Sequence, residues 1–506
     1  MKRILAALLC VVMLAGCSWE EPEYNPTGDA LNQGGDASAA TQGDSEQVRE
    51  LSLAYYPDLG LNPYECTNYT NRALFSLLYQ GLFAVSNEYE AAPILCQTYN
   101  VSADIKTYTF HIYADACFSD GSAVTAEDAR ASLEAAKDSA WYGKRLMHVE
   151  KITAYGNAVV LELDTPMENL PLLLDIPIVK ANQVSADHPL GSGPYQFEAD
   201  GYLRRQAGWW CNVPLAVSAD TVTLVEAQSN AQIRDEFEFG SVGLVCADPG
   251  DTKYVDFRRD YELWDCENGQ YLYLVCNSKS EVFAQAGLQT ALTYAIDREY
   301  LAEKFYHGFA RAASLPASPS CPWYSQSLAE DYEYDPQKFA DAVAAAQLEN
   351  SEVTLLLCAD DLKRREVGQA VADMLEAGGL KVTVSGVSSE DFTDELRWGD
   401  YDLYLGQTKL SANMDLSAFF GTNTSMNYGG LSDPAIYAIS IEALANSGNF
   451  YNLYEMIMAD GQMCPILFQN YAVYTARGAV SGLEPARDNI FWYDLGRSLQ
   501  DALIAQ

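Results

Sequence analysis

The stretch that decides the fold is "EVTLLLCADDLKRREVGQAVADMLEAGGLKVTV", residues 352–384. Residues 352–358, "EVTLLLC", are a short apolar run of strand length. The segment 363–377 carries a helical pattern and stops at Gly378-Gly379, the residue type that ends helices. "LKVTV" (380–384) reads as strand again, so the whole is a strand–helix–strand unit. The same alternation extends in both directions. "QYLYLVCN" (270–277) and "DYDLYLG" (400–406) read as strands. "LQTALTYAI" (288–296) puts Leu288, Ala291, Leu292, Ala295 and Ile296 on one helical face, and Asp297 can cap a second helix ending near Gly308. Asp335-Pro336 opens another helix, with the acid as N-cap and proline in the first turn. Before residue 270 hairpins dominate. In "KTYTFHIY" (106–113), Tyr108, Phe110 and Ile112 face one way and Thr107, Thr109 and His111 the other. "SDGS" (119–122) is a turn, "TAEDARASLEAAK" (125–137) opens on a Thr125/Asp128 capping box, and 149–163 folds back at Gly156-Asn157. The chain is α/β, with no internal repeat.

Length and charge bound what such a chain can do. At 506 residues it is long enough for two or three domains, and 49% hydrophobic residues supply real cores. Asp plus Glu number 70 against 31 Lys plus Arg, a net charge of -39. That balance argues against nucleic acid or anionic lipid as partners for the bulk of the surface and favours solubility.

The N-terminus predicts export. Lys2-Arg3 precede an apolar run, Ile4 to Leu14, too short for the roughly 20 residues of a spanning helix. Residues 1–16 are therefore expected to be a signal peptide. Leu14-Ala15-Gly16-Cys17 resembles the lipobox of bacterial lipoproteins, which implies lipidation at Cys17. Residues 17–48 then form an acidic leash: Glu20, Glu21, Glu23, Asp29, Asp36, Asp44 and Glu46 with no Lys or Arg. Such a segment cannot bury enough apolar surface to order itself, and its reach is roughly 30 Å. Ten further cysteines, at 66, 96, 117, 211, 246, 266, 276, 321, 358 and 464, show no CxxC pair or disulfide framework.

Signals for catalysis are missing. The four histidines, at 111, 148, 188 and 307, are not grouped as metal ligands, and no HExxH, GxSxG, Walker A or GxGxxG occurs. "GSGPY" (191–195) lacks phosphate-loop spacing and suits a chain crossing between domains. Paired carboxylates are certain by chance among 70 acids, and sequence singles out none.

Several ordered segments resemble one family, the bacterial extracellular solute-binding proteins of the dipeptide/oligopeptide/nickel class that serve ABC importers. "LNPYECTNYTNRALFSLLYQGLF" (61–83) is similar to that family's opening segment, with Asn62 in place of the usual Asp. "AAPILCQTYNVSADIKTYTFHIYADACFSDGSAVTAEDARASLEAA" (91–136) resembles its signature stretch, and "GSGPYQF" (191–197) its "GTGPY". "YLVCNSKSEVFAQAGLQTALTYAIDREYLAEKFYHGFARAASLPASP" (273–319) is similar to its "RQALAYAIDR" landmark, with Gln289 at the Arg position. "YEYDPQKFADAVAAA" and "GDYDLYLGQ" match two later landmarks.

The resemblance implies a bilobal, type II periplasmic-binding-protein-like clamshell with an extra subdomain. Lobe I would comprise 49–65, 188–269 and 471–506, the subdomain 66–187, and lobe II 270–470. Ligand would sit between the lobes, where such sites are physically expected, with closure read by the permease. Carried over by position, Thr67, Asn68 and Tyr69 fall on a strand touching ligand backbone, and Gly406, Gln407, Thr408 and Lys409 on the facing lobe. In peptide-binding members an Asp after this stretch pairs with the peptide α-ammonium. Here that position lies near Leu410, the nearest acid is Asp415, and Lys409 could instead meet an anionic group. The expectation is a non-enzymatic, cofactor-free, monomeric receptor, lipid-anchored on the outer face, that hands peptides or a related small solute to an ABC permease. An oligosaccharide or metal chelate on the same scaffold is the alternative cargo. An exported glycan hydrolase, or a chaperone or signalling lipoprotein that kept the fold, is the alternative class.

Overall fold

The computed structural model describes residues 51–504, apart from 212, 250–256 and 286. The signal peptide, Cys17 and the acidic leash lie outside these residues. The 352–384 stretch folds as one unit of strand, helix and strand. Glu352–Cys358 and Lys381–Val387 pair in parallel from Glu352↔Lys381 to Cys358↔Val387. The helix Leu362–Ala377 joins them; the Asp361 side chain accepts its Arg364 N–H, and Gly379, at φ +105, turns the chain out of it. Val367, Gly368, Val371, Ala372 and Leu375 are buried, with Lys363 one turn earlier, in a single stripe at helical spacing. A Cβ on Gly368 would lie 2.2 Å from the Leu357 side chain, so the bare backbone lets the helix settle on its sheet. Burying the stripe's larger side chains contributes about 1.5–3 kcal/mol each, as an upper bound.

That unit is one edge of an eleven-stranded sheet. Inward from the edge come Leu403–Lys409, Tyr261–Cys276, Met463–Ala476, Leu244–Ala247, Leu51–Tyr55 and Thr221–Glu226, then the hairpin Tyr202–Arg205 and Tyr195–Glu198. Ala310–Ala312 pairs with Met463–Ala476 beside this path. The strand expected at 270–277 begins earlier, at Tyr261, because its residues pair with Met463–Ala476 almost throughout. Every residue of Met463–Ala476 is buried. Residues 270 and 470, where the division into lobes is expected, therefore fall inside two long antiparallel strands. Their register shifts between Glu267 and Tyr271, and Gly269 there adopts φ +70.

A separate four-stranded antiparallel sheet runs Cys96–Val101, Thr107–Ile112, Ala158–Leu163, Val149–Tyr155. Tyr108, Phe110 and Ile112 are its buried face, and the helix Ala126–Lys137 packs against it, opened by the Thr125/Asp128 capping box. "GSGPY" crosses bare over the helix Phe75–Leu78. Gly193 N–H donates to Leu78 O at 3.0 Å, and a Cβ on Gly191 or Gly193 would come within 2.1 or 2.5 Å of Leu78 backbone. All ten described cysteines are free thiols, eight of them buried. No described helix is long and apolar enough to cross a membrane.

Candidate functional site

The first pieces of the site are an indole and two cations. Trp141 lies in the turn after the helix Ala126–Lys137. The Arg72 guanidinium stands 3.9 Å from its ring centroid and the Lys409 ammonium 4.4 Å from it. Arg72 ends the short helix Tyr69–Arg72 and donates to Pro63 O at 3.2 Å, Cys66 O at 2.9 Å and the Tyr142 hydroxyl at 2.6 Å. Lys409 ends the strand Leu403–Lys409 and donates to Asn268 O at 2.8 Å. Cation–aromatic contacts of this kind strengthen as water is excluded.

Carboxylates tie these groups to the C-terminal segment. Asp488 accepts from Lys409 at 2.6 Å and lies 3.6 Å from Arg145, which pairs with Asp175. Next to it, Arg487 donates to Leu410 O and, at 2.8 Å, to the Tyr89 hydroxyl, with Glu267 at 3.9 Å. Arg487 lies flat on the strand bulge because residue 269 is glycine; a Cβ there would be 2.2 Å from its guanidinium. Burial pulls the Lys409 ammonium down to about 8, opposed by Asp488. Burial also resists ionisation of Asp488, but Lys409, Arg145 and Arg487 outweigh it and hold its carboxyl below the usual range. Among the described residues, Arg72, Arg145, Lys409 and Arg487 thus face only Asp175, Glu267 and Asp488, and Arg72 has no ion pair. In a chain with 70 acids to 31 bases this is a local reversal of sign.

A cavity of about 90 Å3 opens on this junction, walled by Arg72, Trp141, Arg145, Asp175, Asp488 and Asn489 among others. Three polar atoms of that wall are buried with no hydrogen-bond partner among the described residues: Trp141 Nε1, Asp488 Oδ2 and Asn489 Oδ1. Such groups each carry a desolvation cost that a bound partner would remove. A second cavity, about 40 Å3, is lined by Tyr69, Thr70, Asn230 and Arg234 with Cys246–Pro249. Tyr69 stacks on Tyr471 there, with centroids 5.5 Å apart.

The residues expected at a ligand site are scattered over several settings. Thr67, Asn68 and Tyr69 are not on a strand. Thr67 is exposed, Asn68 caps a helix by accepting Asn71 N–H at 3.1 Å, and Tyr69 begins that helix. The cap explains the correction: the asparagine oxygen takes a helix donor that a strand would have left to a neighbouring chain segment. Gly406 packs face-on to Tyr273, whose ring a Cβ would meet at 2.5 Å. Gln407 pairs across to Leu272, half-buried, and Thr408 receives Lys144 at 3.5 Å. Lys409 alone of the four is in the ionic junction. Sequence reasoning missed Arg72, Trp141, Arg145, Asp175, Glu267, Arg487 and Asp488. A usable signal was "WYGKR" (141–145), a basic and aromatic knot in an acidic chain.

Asp415 belongs to a different contact. His148, preceding the strand Val149–Tyr155, reaches Asp415 at 3.2 Å through Nε2 and Asp164 at 3.0 Å through Nδ1. The other Asp415 oxygen accepts Ser417 N–H at 2.8 Å. Burial disfavours the imidazolium, but Asp415 and Asp164 outweigh it and raise the His148 pKa above 6.5. A raised histidine stabilises fully below pH 6.5, and its contribution disappears as pH climbs through the folded-state value. Discounting the half-exposed Asp164, the link is worth about 1–2 kcal/mol. His148→Gln is expected to destabilise by that amount in urea melts at pH 6 and by much less at pH 9; an equal loss at both pH values would show that His148 acts only by packing.

Comparison with known proteins assigns the scaffold. The family model of bacterial extracellular solute-binding proteins, family 5, matches residues 90–430. The chain belongs to that family. A curated relative, the glutathione-binding protein GsiB of Escherichia coli O1:K1 / APEC, is 25% identical over 349 residues, 65% of this chain and 67% of its own. The K12 strain's GsiB is 24% identical over the same extent. The ABC transporter substrate-binding protein CtaP of Listeria monocytogenes superposes with a TM-score of 0.71 at 17% identity, covering 89% of this chain and 98% of CtaP. A nickel ABC transporter structure from Bacillus halodurans gives 0.71 at 16%, covering 88% and 98%. The fold is the bilobal type II periplasmic-binding-protein fold, and the chain is a substrate-binding protein of the kind that serves ABC importers. Its family and neighbours bind solutes and are not enzymes.

Proposed function

We propose that this receptor captures a short peptide or peptide-like solute at the ionic junction around Trp141 and presents it to an ABC permease. The observation that carries the reading is that junction itself. Arg72 and Trp141 come from the 66–187 segment, Lys409 from 270–470 and Asp488 from the C-terminal tail, the three parts assigned to subdomain, lobe II and lobe I. A ligand in the adjoining cavity touches the subdomain and the C-terminal tail directly, and meets 270–470 through Trp141 and Asp488, which hold Lys409; its binding free energy favours the arrangement in which they meet. The relatives support the cargo class: one is named for glutathione, a solved neighbour is a murein tripeptide binding protein, and others hold nickel chelates. The receptor works outside the cytoplasm, anchored through lipid on Cys17 and held on the 17–48 leash, as a monomer with no catalytic step of its own.

The test is binding. Full-length mature protein is titrated with a library of di- and tripeptides, and with oligosaccharides and nickel–histidine as competing classes, and melting is followed. A ligand at a hundred times its Kd adds about 2.7 kcal/mol of stability. Saturable stabilisation by peptides is expected; stabilisation by a sugar or chelate alone would reassign the cargo. Cys17→Ala is expected to move the protein from the membrane fraction to the medium or the soluble extract.

A further inference from the structure

Resting on the peptide-receptor reading, we propose that the junction selects ligands by a carboxylate, which it receives on Arg72 and the Trp141 indole N–H, and that it has no anchor for a ligand's α-ammonium.

Two sets of observations converge. The first is the state of the chain's own carboxylates. Asp175 is taken by Arg145, Asp488 by Lys409 and Arg145, and Glu267 by the Tyr89 hydroxyl with Arg487 alongside. Asp415, the acid nearest the position where an ammonium partner is expected, is occupied by His148 and the Ser417 N–H. An ammonium brought to this wall would have to compete with an ion pair already formed and would face the surplus cation as a like charge. Burying a charge on those terms is unfavourable.

The second is what the wall still offers. Arg72 is held in place by two carbonyls and the Tyr142 hydroxyl, none of them charged. Trp141 Nε1 is a buried donor without an acceptor among the described residues, on the ring that Arg72 covers. A carboxylate supplies what these groups lack: negative charge and acceptor oxygens. Two further atoms of the wall accept no hydrogen bond among the described residues: Asn489 Oδ1, and Asp488 Oδ2, whose charge is already paired with the Arg145 guanidinium at 3.6 Å. They suit the amide N–H groups of the same molecule, which makes the ligand a peptide bearing a carboxylate rather than a simple organic acid. The chain's charge of -39 repels anions at long range, so capture depends on this local reversal of sign, and added salt shortens the range of the repulsion more than it weakens a buried contact.

The experiment uses tripeptides in matched pairs, each as free acid and as C-terminal amide, and each with Glu or Gln as an internal residue. Binding to the full mature protein is measured by calorimetry. Replacing the recognised carboxylate by its amide is expected to weaken binding roughly tenfold to a hundredfold, the range for one charge-assisted hydrogen bond. N-acetylation is expected to leave affinity within about twofold. Arg72→Gln should erase the acid-over-amide preference. Trp141→Phe, which keeps the ring and removes only the N–H, should reduce it severalfold; this second variant decides the matter if the first folds poorly. Equal binding of acid and amide forms, or a tenfold loss on N-acetylation, overturns the inference while the peptide-receptor reading stands. Binding of no peptide in any form overturns both.

Discussion

Asp488→Asn is expected to cost about 3–5 kcal/mol of unfolding free energy, the usual penalty for removing one member of a buried ion pair. The carboxylate is 11% exposed and lies 2.6 Å from Lys409 and 3.6 Å from Arg145. Without it the Lys409 ammonium keeps, among the described residues, only Asn268 O and the face of Trp141. The lost term is the pairing; the burial of the ammonium remains, so the cost exceeds that of an exposed pair several times over. The pH dependence follows from the direction of the Lys409 shift. Its folded-state pKa, about 8, is below that of an exposed lysine, so the unfolded chain binds more protons above that value and stability gains from rising pH. Asp488→Asn removes the group that opposes this fall, so its deficit should shrink between pH 7 and pH 9. Urea unfolding at the two pH values measures both effects. Asp488→Asn combined with Lys409→Met should recover much of the loss, since the orphaned charge is gone. A deficit under about 1 kcal/mol at pH 7 would show that the junction is solvated and not a buried ionic cluster.

Arg298→Met should be about as costly, for a different reason. Arg298 is 4% exposed and forms no ion pair among the described residues. Its guanidinium donates to Pro465 O at 2.9 Å, Thr293 O at 3.1 Å, the Thr293 hydroxyl at 2.6 Å, and the Ile296 and Tyr332 carbonyls at 3.4 Å. One side chain thereby joins the end of the helix Leu288–Ala295, the start of the next, the turn at Tyr332 and the central strand Met463–Ala476. Methionine fills the space and leaves these acceptors buried without donors, at about 1–3 kcal/mol each for those that water cannot reach. A total of about 3–5 kcal/mol is expected in urea unfolding. Arg298→Lys should recover less than half, because a single ammonium cannot span carbonyls that a planar fork reaches together. Full recovery by lysine would mean that charge alone matters at this position.

What was legible in the sequence was local. The Thr125/Asp128 capping box, the Tyr108/Phe110/Ile112 face and the Asp297 cap depend on residues a few places apart. The polypeptide geometry within such a span is nearly fixed by period and capping chemistry. "AIDR" illustrates the limit. Its Asp297 works on the helix it opens, while Arg298, one residue on, spends its hydrogen bonds on carbonyls up to 167 residues away. Lys409 is a similar case. Its place at the end of a strand follows from the pattern around it, but its partner Asp488 lies 79 residues further along, in a tail with no distinguishing motif.

By itself, then, the sequence determined the α/β class, the strand–helix–strand edge at 352–384, the family likeness and the acidic character of the chain. Periodicity, capping and composition act over short distances and need no knowledge of the rest of the molecule. Only the tertiary structure decided that Asp415 faces His148 across 267 residues of chain, that Asn68 caps a helix, and that Arg72, Trp141, Lys409 and Asp488 share one buried junction. Charges and unpartnered polar atoms acquire their energies from what surrounds them after folding: the same lysine is a solvated surface group or a buried, paired ammonium according to which distant segments close over it.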